Sequence, residues 1–187
     1  MSEKSKEFFK NHVVRIITMN GIIAALYVAL TLAFSFASYE YMQFRVSEFL
    51  TLLVFFNPWY TIGLTLGCLL ANVFSTVGAI DILMGTSATL IACLINIGLS
   101  KICKSLLING LVPCLVNAIM VPFIIWIGSS FTIPFNVEIY FIMFGWVFLG
   151  EFGAVIGVGY TLFMILQRST PSLHKMLLST QNTDFKW

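Results

Sequence analysis

Phe44-Arg45-Val46-Ser47-Glu48-Phe49-Leu50-Thr51 sets a cation and an anion three residues apart at the mouth of an apolar run that continues to Pro58. Arg45 is the sole basic residue between Arg15 and Lys101. Ionisable groups inside or at the edge of a membrane are costly and mark functional sites by default. An i,i+3 ion pair exposed at a helix start, the plainer reading, contributes only about 0.2–0.5 kcal/mol. The stretch alone fits both readings, and the chain around it separates them.

The composition is not that of a soluble domain. The chain is 59% hydrophobic and 10% charged, against roughly 25% charged in ordinary globular proteins. Apolar stretches near 20 residues long recur until little else remains, the pattern of an all-α, polytopic membrane protein forming one domain over residues 1–187. The net charge of +2 comes from dispersed residues, with no basic stripe of the kind that binds nucleic acid. Cys68, Cys93, Cys103 and Cys114 lie in or beside apolar runs without a C-x-x-C pair, which favours packing thiols over metal or redox use.

Read in order, residues 1–12 form a polar arm with Lys4, Lys6 and Lys10. Helix 1 is expected over 13–36, too long for the apolar core of a cleaved secretory signal. Ala25, Ala29 and Ala33 recur on it at spacing four, a flat ridge where another backbone can approach closely. An amphipathic connector with Tyr39, Glu40 and Tyr41 suits a membrane interface. Helix 2 is expected over 44–57 and is broken by Asn57-Pro58. Helix 3 runs to 75 and carries Gly63, Gly67 and Ala71 at spacing four, with Asn72 next. After a turn at 76–79, Asp81 stands where a first-turn carboxylate favours the dipole of helix 4, expected over 82–102. Helix 5 (106–128) is interrupted by Pro113 and Pro122, with Asn117 between them. A loop follows at 129–137, then a last helix over 138–166 that buries Glu151, and a polar tail from 168 to 187.

Six helices place both termini and the turns near 57–58 and 101–105 on one side. That side holds Lys4, Lys6, Lys10, Arg15, Lys101, Lys104, Arg168, Lys175 and Lys186, and the other holds Arg45 alone. The positive-inside rule makes the termini cytoplasmic. Glu48, Asn72 and Asp81 then fall near the outer face. Asn117 and Glu151 lie about 11 residues, or roughly 16 Å, below it, near the middle of a hydrocarbon core roughly 30 Å thick. Acidic and amide groups from five of six helices are thus placed to line one cavity open to the outside. The competing reading is a set of unrelated helix-to-helix hydrogen bonds, each averaging about 0.6 kcal/mol.

Catalytic signatures are absent. The chain has no G-x-x-x-x-G-K-[ST] for an ATPase of its own, no H-E-x-x-H and no G-x-S-x-G, and its histidines, His12 and His174, sit in the flanks. No metal site and no cofactor are expected.

The run 44–53 (Phe-Arg-Val-Ser-Glu-Phe-Leu-Thr-Leu-Leu), with Pro58-Trp59, Gly63-Leu64, Gly67-Cys68-Leu69-Leu70-Ala71-Asn72 and Asp81, resembles the QueT family, most densely over 44–86. That resemblance implies a six-helix substrate-binding S-component of an energy-coupling-factor importer for queuosine precursors. It would capture a deazaguanine-type base such as queuine outside the cell, partnered by a membrane coupling subunit and two cytoplasmic ATPases. It also implies that the Ala25, Ala29, Ala33 ridge is where the coupling subunit docks. By position and chemistry, Glu48, Asn72, Asp81, Asn117 and Glu151 are the candidate polar contacts. Trp126, Tyr140 and Trp146 are candidate stacking faces, and Tyr39 and Arg45 are candidate gating residues. The alternatives are a self-contained channel or secondary transporter, which would call for inverted internal repeats, and an intramembrane enzyme using Glu48 or Glu151 as base.

Overall fold

The computed structural model describes residues 3–35, 44–75, 78–129 and 134–169. Residues 1–2, the connector with Tyr39, the tail beyond 169 and the loop residues 76–77 and 130–133 lie outside the described residues. Among the described residues every element is helical. Helix α1 spans Glu3–Ala33, so the helix begins within the polar arm. Helix α2 spans Val46–Phe56 and α3 spans Tyr60–Asn72. Helix α4 spans Asp81–Ile102 and α5 spans Leu106–Gly128. Helix α6 covers 137–169, with a π-helical segment at Gly153–Tyr160 between two α-helical parts.

Four of these helices are long and apolar enough to cross a membrane. The other two, α2 and α3, are shorter than the spans expected from the sequence. Each is roughly 20 Å long at 1.5 Å rise per α-helical and 2.0 Å per 3-10 residue, short of the roughly 30 Å hydrocarbon core. In α2 the winding also departs from the α-helix: Val46–Leu52 is a 3-10 helix, and only Leu53–Phe56 is α-helical. There the Thr51 hydroxyl donates to the Glu48 carbonyl at 2.6 Å, a side-chain bond that competes with the α-helical ladder. In α5, by contrast, the helix runs through both Pro113 and Pro122 without ending.

Helix α1 packs chiefly on α3, α5 on α6, and the 3-10 part of α2 on the π-helical part of α6. Asn20, Ile23, Ala24, Tyr27 and Thr31 form the buried face of α1, while Ala25, Ala29 and Ala33 lie exposed on the opposite face. The α1–α3 contact depends on small residues. A Cβ at Gly63 would stand 2.5 Å from the Asn20 carbonyl oxygen, and one at Gly67 would stand 2.7 Å from the Tyr27 Cβ. The same contact completes the start of α3. The amides of Tyr60, Thr61 and Ile62 donate to the carbonyls of Asn57, Pro58 and Trp59. The fourth, Gly63 N–H, donates to Asn20 Oδ1 at 2.6 Å, so all four N-terminal donors of the helix are satisfied. Gly63→Ala is therefore expected to push α1 off α3 and cost about 1–3 kcal/mol, read as a lowered melting temperature of the purified protein. Unchanged melting would show that the helices separate without penalty.

Candidate functional site

A buried polar cluster forms where α1, α2, α3 and α4 meet. Tyr27 comes from the middle of α1, Arg45 and Glu48 from the start of α2, Cys68 and Asn72 from the last turns of α3, and Asp81 and Thr89 from the first turns of α4. All seven are buried. Glu48 is its centre. Its Oε1 accepts from the Tyr27 hydroxyl at 2.5 Å and stands 3.2 Å from the Thr89 hydroxyl. Thr89 also lies 3.2 Å from Cys68 Sγ. A hydroxyl carries one proton, so Thr89 serves one of these two acceptors at a time. Glu48 Oε2 has no hydrogen-bond partner.

Arg45 pairs with Asp81 across the α2–α4 junction, Nη2 to Oδ2 at 4.0 Å. The sequence offered Glu48, three residues on, as the arginine's ion-pair partner and a first-turn dipole role for Asp81. Asp81 instead opens a π-helical turn, Asp81–Gly85, that swings its carboxylate inward to the guanidinium. Asn72 ties the same corner together, its Nδ2 donating to the Asp81 carbonyl at 3.1 Å and leaving its Oδ1 unpartnered. Gly85 is required by this arrangement. A Cβ there would stand 2.7 Å from Asp81 Oδ1 and 2.8 Å from Asn72 Nδ2.

Across the bundle, Asn117 of α5 donates its Nδ2 to Glu151 Oε1 of α6 at 3.0 Å. Both are buried, and Glu151 Oε2 has no hydrogen-bond partner. Two residues past Glu151 the π-helical segment begins and brings α6 against α2. A Cβ on Gly159 would stand 2.5 Å from the Phe49 Cβ, and one on Gly153 would stand 3.0 Å from the Phe44 ring. Helical segments wound this way are frequent at functional sites. The two together flank the cluster, at Asp81–Gly85 and Gly153–Tyr160.

The polar candidates thus fall in two buried groups, Arg45, Glu48, Asn72 and Asp81 in one and Asn117 with Glu151 in the other, and the aromatic ones join neither. Trp126 and Tyr140 line a separate, mainly apolar cleft at the far ends of α5 and α6, with Pro122, Phe135, Ile139 and Met143. There the Phe123 and Tyr140 rings lie 4.8 Å apart, those of Trp126 and Phe135 5.2 Å apart, and the Tyr140 hydroxyl donates to the Ile119 carbonyl. Trp146 is 49% exposed on the outer surface of α6. Five residues from Glu151, it sits about 140° around the helix from it, so it offers no stacking face to that carboxylate. Tyr39 lies outside the described residues.

Tyr27, Cys68, Gly85 and Thr89 belong to the cluster and were not singled out by the sequence. A signal for Tyr27 was there: Asn20, Tyr27 and Thr31 fall at spacings of seven and four, a polar stripe on the face of α1 opposite the alanines. Thr31 uses it as Tyr27 does, its hydroxyl lying 2.6 Å from that of Ser47 on α2.

A family described as QueT transporter matches residues 17–168, a range that holds every residue of the cluster. The chain belongs to the QueT transporter family. Membership and the four long apolar helices make this QueT-family chain a multi-pass protein of the bacterial membrane. It is 44% identical over 73 residues to the queuosine precursor transporter QueT of Lactococcus lactis subsp. cremoris. That alignment covers 38% of this chain and 43% of the relative, less than half of either length. No solved structure matches the chain.

Proposed function

We propose that this chain is the substrate-binding membrane subunit of an ATP-driven energy-coupling-factor importer, and that it captures a queuosine precursor, a 7-deazaguanine-type base, from outside the cell. The observation that carries this reading is the pair of buried carboxylates, Glu48 and Glu151, each with one oxygen satisfied by the protein and the other without a partner. Buried polar atoms are almost always hydrogen-bonded, so two open acceptors deep in one bundle suit a ligand that brings its own N–H donors. A guanine-type edge carries a ring N–H beside an exocyclic amine. The relative named as a queuosine precursor transporter supplies the substrate class. In this reading α2 and α3, with their flanking residues, complete two further crossings, giving six helices with both termini cytoplasmic. Arg45 and Asp81 close the outer end over the bound base. The subunit performs no chemistry on its ligand and needs no cofactor, since ATP is used by its partners.

The alanine ridge fits the partner side of this proposal. Ala25, Ala29 and Ala33 face away from the bundle, and a Cβ added to Gly21 on the same side would meet nothing within 4 Å. A membrane coupling subunit can approach closely there. Ala29→Trp is expected to abolish assembly with the coupling subunit and two ATPases, and with it uptake, while leaving base binding by the isolated subunit intact. Loss of both together would make the ridge part of the subunit's own packing.

Mass spectrometry of the small molecule released from the purified chain tests the substrate reading. The expected result is a 7-deazaguanine derivative at one per chain, unchanged by the protein. A chemically unrelated molecule, or conversion of the base, would overturn it.

A further inference from the structure

We infer that the aromatic cleft between the far ends of α5 and α6 is a second, weaker base-binding site, where the flat ring of the ligand stacks on Trp126 and Tyr140 before it enters the bundle. The inference rests on the reading above, which sets these helix ends outside the cell, and adds to it the place where the base first lands.

The cleft is built before any ligand arrives. Its walls brace one another: the Phe123 and Tyr140 rings lie 4.8 Å apart, those of Trp126 and Phe135 5.2 Å, and those of Phe135 and Tyr140 6.0 Å. The Tyr140 hydroxyl donates to the Ile119 carbonyl at 3.1 Å, which fixes a ring of one helix to the backbone of the other. The space they enclose, open mouth included, is about 440 Å³, within the range of small-molecule sites.

Its chemistry suits a flat heterocycle. Ring faces stack on any base, whereas an acyl chain needs only aliphatic walls. Two polar groups line the same cleft. The Tyr140 hydroxyl gives its proton to Ile119 and keeps lone pairs for an N–H of the base. The Asn136 oxygen caps the Glu138 and Ile139 amides, which leaves its N–H₂ to donate to a carbonyl. Among the described residues no charged side chain lines the cleft, so binding there is weaker than at the carboxylates.

The cleft and the deeper carboxylate lie on one seam. Tyr140, Met143, Val147 and Glu151 follow one another along α6 at spacings of three, four and four, so one face of the helix runs from the cleft to Glu151. Along the axis Met143 lies roughly 12 Å and Tyr140 roughly 16 Å outward of Glu151. The fully buried Val147 stands between them. The two sites are therefore separate, and the base passes from one to the other in a second step.

The test keeps Trp126 as the single tryptophan, through Trp59→Phe, Trp146→Phe and Trp187→Phe, and follows its emission by stopped flow when 7-deazaguanine is added. The expected result is quenching in two phases: a fast one that saturates at higher base concentration, and a slow one that tracks the deep binding seen by calorimetry. Glu48→Gln together with Glu151→Gln should remove the slow phase and keep the fast one. Tyr140→Leu should weaken the fast phase by about 5- to 150-fold, the range for one stacked base, and leave the calorimetric affinity within about threefold. Tyr140→Phe, which keeps the ring, should keep the fast phase. Deep binding without a fast phase, or a fast phase lost along with the slow one in the carboxylate variants, would overturn the inference and leave base capture standing. So would quenching by brominated lipid that the base does not relieve, which would make the cleft the seat of an acyl chain. Absence of both quenching and calorimetric binding would remove the base-capture reading and this inference with it.

Discussion

Asp81→Asn is expected to lower the stability of the protein by about 3–5 kcal/mol, because it removes the carboxylate that faces the buried Arg45 guanidinium at 4.0 Å. Arg45 and Asp81 are each 6% exposed, so neither can turn to water when the other is lost. Arg45→Gln strands Asp81 in the same way and should cost a similar amount. The double replacement Arg45→Met with Asp81→Leu removes both charges and fills the volume with apolar atoms. Substitutions of that kind at buried pairs are often neutral, so most of the stability should return. Thermal unfolding of the single and double variants reads the difference. A double variant as unstable as the single ones would mean that the corner is held by Asn72 and the Gly85 turn rather than by the ion pair. In the ligand-bound protein, Arg45→Gln should also speed release, since the α2–α4 junction is then no longer tied.

Glu151→Gln is the second large effect. The carboxamide keeps an oxygen for the Asn117 amide at the position where Oε1 now accepts it. It places an N–H₂ where Oε2 is open, turning an acceptor into a donor that faces the donors of the base. The expected loss is at least ~2 kcal/mol of affinity, about 30-fold, with little change in melting. Were Glu151 only a strut between α5 and α6, the substitution would lower melting and leave affinity nearly unchanged. Calorimetry and thermal unfolding on the same preparation separate the two roles.

Much of this was legible in the sequence, and the part that was not has physical causes. Helix α5 runs over Leu106–Gly128 as its apolar span predicts, straight through the two prolines expected to interrupt it, because backbone in lipid has no competing structure to adopt. The polar candidates Arg45, Glu48, Asn72, Asp81, Asn117 and Glu151 could be picked out because each is an expensive side chain in an apolar run. Their pairing could not. Arg45 and Glu48 are three apart in sequence, but the 3-10 winding of Val46–Leu52 and the π-helical turn at Asp81–Gly85 re-aim the side chains, and Asp81 becomes the arginine's partner. Hydrophobic periodicity carries no trace of such departures from 3.6 residues per turn. The aromatic candidates lie apart from the carboxylates for a related reason. Trp146 shares a helix with Glu151 but not a face, and a stretch apolar all round does not show which face is buried. Tyr27 was missed because a single tyrosine in a membrane helix looks like an ordinary apolar residue until Asn20 and Thr31 are read with it.

The central claim is that open carboxylate oxygens in a closed polar cluster read the donor edge of a deazaguanine base. The most direct measurement compares the binding of 7-deazaguanine with that of 7-deazahypoxanthine, the same ring without the exocyclic amine, to the purified chain by calorimetry. Removing the amine leaves a buried carboxylate short of one donor, so the account predicts at least about 30-fold weaker binding of the hypoxanthine analogue. Equal affinities would contradict it, and would mean that the base is held by shape and stacking rather than by Glu151 and Glu48.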